Sequence, residues 1–226
     1  SIAAYVVAGL VPAVYIIIDT LRTRVFNPIT VLAATSALAG GALAFLRVEG
    51  AAFALKDSYG SIVAALVMGG SLAIRRPFFQ AFLRVALATD DPARKGMVER
   101  LIAHPVVQRS LALGTLVVFL EAVVLGTVNF LVNFNIVTGS FGTEVFNDQV
   151  ARANVIMRPV SLVASFAAYG YAFYMAQAGA TRAFGPKAKL FEDEMWEALA
   201  EPQAEPQAEE PQAEPPAEPP GQPREA

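Results

Sequence analysis

Residues 110–134 read SLALGTLVVFLEAVVLGTVNFLVNF, and the only formal charge among these 25 residues is Glu121, at the twelfth position. A helix of that length rises about 37 Å at ~1.5 Å per residue, more than the roughly 30 Å hydrocarbon core of a bilayer. The segment reads as a membrane span with a carboxyl group near its midplane. The remaining expectations follow from that solvent.

Four further apolar stretches, 2–18, 29–46, 58–74 and 159–177, hold 17 to 19 residues each, near the lower limit for spanning. They do not alternate as barrel strands would. Backbone in lipid must satisfy its own hydrogen bonds, so the expected class is all-α, a polytopic transmembrane bundle of about five spans. Composition agrees, since 16% of residues are charged whereas soluble domains carry about 25%. Ser1 already lies in an apolar run, with neither a basic n-region nor a small-residue cleavage site before Asp19. A cleaved signal peptide is therefore the poorer reading, and a chain that starts upstream of Ser1 is expected.

The net charge of −3 averages two unlike parts. Residues 201–226 carry seven glutamates and one arginine, a charge of −6, while the rest of the chain carries +3. Arginines and lysines in the segments 19–28, 75–109 and 179–200 number twelve, against four in the opposite loops (Arg47, Lys56, Arg152 and Arg158). Positive charge is retained on the cytoplasmic side, which puts the 75–109 loop and the C-terminus in the cytoplasm and residue 1 outside. The expected location is a bacterial inner membrane.

Within the 75–109 loop, Phe78, Phe79, Phe82, Leu83 and Val85–Leu87 recur at helical spacing between Gln80 and Arg84, predicting an interfacial amphipathic helix. Asp90-Asp91-Pro92 ends it, and Asp90 or Asp91 is placed to cap the next helix with Pro92 at its first position. Residues 179–200 are expected to hold a short amphipathic cytoplasmic helix, over 187–200, that carries Trp196, the only tryptophan. The tail 201–226 is a near-repeat of Glu-Pro-Gln-Ala, with prolines that forbid helix and sheet and nothing apolar to bury. It is expected to be disordered and available to a protein partner.

Candidate chemistry begins at Glu121. A carboxyl at a helix centre costs about 2.5–3.5 kcal/mol on insertion scales, so it should face the bundle interior, protonated unless partnered. Asn129 and Asn133 follow eight and twelve residues on, offset by about 80° and 120° at 100° per residue, so the three define one polar quadrant. The quadrant fits a proton relay or polar-solute site; it equally fits a hydrogen-bonding residue that holds helices together. Arg75-Arg76-Pro77 ends a span sharply, and Arg75, Arg76 and Arg84 are placed to contact lipid head groups or a phosphate. Asn154, Arg158 and Pro159 read as the outer end of the last span, and Lys56 with Asp57 as a local ion pair of little worth.

Small residues at i, i+4, i+8 (Ala33, Ala37, Gly41; Ser61, Ala65, Gly69; Ala164, Ala168, Ala172, Ala176) let helices approach closely, within the chain or in a homo-oligomer. No catalytic constellation, cofactor fingerprint or metal set is visible. There is no cysteine, and His104 stands alone in a loop. Every lysine lies outside the spans, which removes a Schiff base within the bundle. The basic loop is too short to argue nucleic-acid binding.

Three stretches, GLVPAVYIIIDTLRTRVFNPITVLAATSALAGG, FALKDSYGSIVAALVMGGSLAIRRPFFQAFLR and LEAVVLGTVNFLVNFN, resemble a family of uncharacterised bacterial multi-pass inner-membrane proteins distantly similar to intracellular septation protein A. The resemblance covers residues 1–178 and includes a hairpin with Phe53 and Lys56 followed by Arg76-Pro77. Septation protein A has Lys-Pro-Thr where this chain has Lys56-Asp57-Ser58, and tryptophans that this chain lacks before Trp196. The resemblance implies a non-enzymatic, envelope-associated or scaffolding protein in the inner membrane, without site residues. The residues themselves keep a second expectation open, a small transporter or channel built on Glu121, Asn129 and Asn133.

Overall fold

The computed structural model describes residues 39–43 and 45–200. Among them the ordered elements are helices: α1 (Gly50–Asp57), α2 (Tyr59–Ala73), α3 (Phe78–Ala86), α4 (Pro92–Ala103), α5 (Pro105–Ile136), α6 (Glu144–Phe184) and α7 (Glu194–Ala200). No strand occurs among the described residues. The expected span 2–18, most of the span 29–46 and the tail 201–226 lie outside them. The α5 and α6 helices are long and apolar enough to cross a membrane, and α1–α2, bent by 53°, is a third candidate if the pair is one span.

Antiparallel α5 and α6 form the spine. Gly114 explains their closeness: a Cβ there would lie 3.2 Å from the Ala172 backbone. Gly179 likewise meets Ser110, while Ala168, Ala172 and Ala176 are buried in the same seam. The face of Ser61 and Gly69 packs on Gly126 and Phe119 of α5. Both small-residue faces among the described residues thus make contacts inside the chain. The outward faces are apolar, with Leu66, Val163 and Phe166 about 70% exposed.

The α6 helix is much longer than the expected 159–177. Phe146, Val150, Ala153 and Met157 form a helical stripe that packs inward, with Phe146 against Phe53 at 5.1 Å between ring centroids. That stripe carries the helix through Pro159, where proline denies the i−4 carbonyl its partner without ending the element. Arg158 therefore stands well inside a helix. In the expected span 58–74 the helix α2 covers Tyr59–Ala73, and α1 precedes it across the bend at Ser58.

At the opposite end, α3, α4 and α7 fold into a cap. Phe79, Leu83 and Leu87 are buried on one face of α3, as the periodicity requires, and Phe79 and Phe82 contact Phe173 edge-on. Asp91 accepts from Ala93 N at 2.9 Å with Pro92 in the first turn, so the expected cap of α4 forms on Asp91. The α7 helix starts at Glu194, later than the expected 187, because the residues before it form successive turns held on the Gln177 side chain. That side chain donates to Ala188 O and accepts from Leu190 N. Arg94 stacks 4.9 Å from the Trp196 ring, and Arg100 donates to Leu199 O.

Candidate functional site

The bend at Ser58 positions the most polar part of the bundle. Asp57, the last residue of α1, presents Oδ2 to two amides from α5: Asn133 Nδ2 at 2.9 Å and Asn129 Nδ2 at 3.1 Å. Asn129 Nδ2 also reaches Ser58 Oγ at 3.0 Å, while Ser58 donates to Ala54 O. Asn133 is 2% exposed and Ser58 3%, so the network is fixed in the interior on one side while Asp57 itself is exposed. The expected Lys56–Asp57 pair does not form, since Lys56 Nζ donates to Leu46 O.

Beside this network lies an open recess of about 870 Å³ between α2, α5 and α6. Asp57, Ser61 and Asn129 line one wall; Asn154, Arg158, Ser161 and Ser165 line the other. The four α6 residues recur at i, i+4, i+7 and i+11, a single helical face. Ser165 at the deep end donates to Glu121 Oε1 at 2.6 Å. Eight residues separate Glu121 from Asn129, about 12 Å at ~1.5 Å per residue. The structure thus joins Asn129 to Asn133 directly, but it links Glu121 to them only through the recess and Ser165.

Of the three arginines expected at lipid head groups, Arg84 is engaged by a carboxylate. Arg84 Nε and Nη2 donate to the two carboxylate oxygens of Glu99 at 2.8 and 2.9 Å. These hydrogen bonds from Arg84 hold the Glu99 carboxyl below its usual range and raise the Arg84 guanidinium. Arg75 sits in the left-handed region (φ 57°) because α2 ends in a reverse turn: Arg75 N donates to Leu72 O and Arg76 N to Ser71 O. Both Arg75 and Arg76 are exposed. His104 caps α5, its Nδ1 accepting from Val106 N. No group of acids and histidines that could hold a metal occurs among the described residues.

The sequence reading gave Asp57 and Arg158 no part in a site and passed over Ser58, Ser161 and Ser165. The stripe Asn154–Arg158–Ser161–Ser165 was the available signal, hidden by reading a helix end at Pro159. No known protein family, curated protein or solved structure matches the chain.

Proposed function

We propose that the chain is a non-enzymatic multi-pass protein of a bacterial cytoplasmic membrane that takes a small polar solute into its recess and couples it to the proton on Glu121. In this reading five helices cross the bilayer, two of them outside the described residues, and the acidic disordered tail is cytoplasmic. The observation that carries the reading is the row of side chains from Asp57 through Ser161 and Ser165 to Glu121. Polar side chains at membrane depth are costly and ordinarily face a bundle interior or water. A bent helix at the mouth adds to this, since interrupted helices at membrane depth occur where they are buried or line a cavity. With Arg84 engaged by Glu99, the head-group contact is narrowed to Arg75 and Arg76.

Reconstituted vesicles with an internal pH dye test this. Wild type should pass protons down an imposed gradient, and Glu121→Gln should slow the passage at least tenfold. Equal rates in the two proteins would refute the coupling. A second reading, an envelope-associated scaffold like the family resembled, is favoured by the folded α3–α4–α7 cap next to the acidic tail, a surface suited to a protein partner. It would be left standing by vesicles in which neither protein passes protons.

A further inference from the structure

Two opposite charges face the same recess without meeting. Asp57 and Arg158 both line it, yet neither belongs to any of the ion pairs among the described residues. Both amide donors to Asp57 fall on Oδ2, so Oδ1 has no described protein partner. The Arg158 guanidinium donates to no described group, and Arg158 stands seven residues from Ser165, about 10 Å along α6 at ~1.5 Å per residue. In the proposed reading, with Glu121 near the bilayer centre and Ser165 beside it, Arg158 lies within the hydrocarbon half-thickness of about 15 Å. A charge at such depth ordinarily has a partner or marks a site.

We infer that the recess binds a small zwitterion, a molecule with a primary ammonium close to an anionic oxygen. Asp57 Oδ1 accepts from the ammonium, held in place by the Asn129 and Asn133 amides on Oδ2. Arg158 receives the carboxylate or phosphate oxygens through its forked donors, for which guanidinium is well shaped. One ligand then neutralises both charges at once, whereas a simple cation would leave Arg158 unmet and a simple anion would be repelled by Asp57. Asn154, whose Nδ2 is engaged by Val150 O, keeps its carbonyl oxygen as a further acceptor for the ammonium. A volume of about 870 Å³ suits a small molecule with its water. The same chemistry occurs in free amino acids and in the phosphatidylethanolamine head group.

This inference rests on the recess being a binding site, but not on proton coupling. Equilibrium dialysis of the full chain in detergent against radiolabelled glycine and radiolabelled glycerophosphoethanolamine tests it. At least one probe should bind, with Asp57→Asn and Arg158→Gln each weakening it tenfold or more. Val163→Ala, on the exposed face of α6 away from the recess, should leave that binding within twofold, while Glu121→Gln should slow proton flux at least tenfold. Tighter binding of glycine would identify a free solute, and tighter binding of glycerophosphoethanolamine a lipid head group. Three results would overturn the inference: neither probe binds, both substitutions bind like wild type, or methylammonium competes as well as the zwitterion. Flux lost in Glu121→Gln with no zwitterion binding would remove this inference alone. Binding that is intact with flux unchanged in Glu121→Gln would remove the proton coupling alone.

Discussion

The two ends of the bundle obey different rules. In the cap, Phe79, Leu83, Leu101, Ile102 and Met195 are all nearly fully buried, and helix starts are closed by Asp91 and His104. Two of the arginines there are engaged, Arg84 by Glu99 and Arg94 over the Trp196 ring. At the recess end a helix bends at Ser58, a proline sits inside α6, and Asp57 and Arg158 face one space unpaired. Stability is concentrated at the first end and chemistry at the second. A site that must admit a solute cannot also be filled with side chains.

Substitutions at the two ends should therefore separate stability from function. The largest effect is expected at the cap. Phe79→Ala removes a ring packed against Phe82, Tyr169 and Phe173 and should cost about 3–5 kcal/mol of stability, read by thermal unfolding in detergent. At the recess end, Asn133→Leu takes one donor from Asp57 and should cost less, about 1–3 kcal/mol. Should Asn133→Leu prove the more damaging of the two, the division of labour between the ends would be wrong.

Smaller effects sharpen the picture of the cap. Arg75 adopts a left-handed backbone that disfavours any residue with a Cβ, so Arg75→Gly should stabilise the α2 terminus by about 0.5–1 kcal/mol. The Arg84–Glu99 pair gives a pH signature. Because Arg84 depresses the Glu99 carboxyl in the folded protein, its stabilisation is present above the ordinary carboxylate range and is lost as pH falls through the depressed value. Both side chains are about half exposed, so solvent screening limits the loss to roughly 0–1 kcal/mol. Glu99→Gln should erase that acid-side step in a melting series.

Much of the cap was legible in the chain because its signals are local. The apolar period of Phe79, Leu83 and Leu87 and the Asp91-Pro92 start need no knowledge of neighbours. The uncharged flanks of Glu121 marked α5 in the same way. The recess was not legible, since it depends on the register of three helices. Asp57 appears in the sequence as a loop residue beside Lys56; only the bend at Ser58 turns it toward Asn129 and Asn133. Pro159 suggested a helix end, but the buried stripe Phe146–Val150–Ala153–Met157 outweighs its local cost. Once α6 is continuous, Arg158 and Ser165 fall on one face.

In the proposed reading, water enters the recess as far as Ser161. The chain contains no cysteine, so single cysteines report cleanly. Ser161 lines the recess, whereas Val163, two residues away, is 69% exposed on the outward apolar face. Vesicles holding each protein with its outer side exposed are treated with a membrane-impermeant maleimide, and the fraction labelled is measured. Ser161→Cys should label and Val163→Cys should not. An unlabelled Ser161→Cys, or equal labelling at both positions, would contradict a water-filled recess.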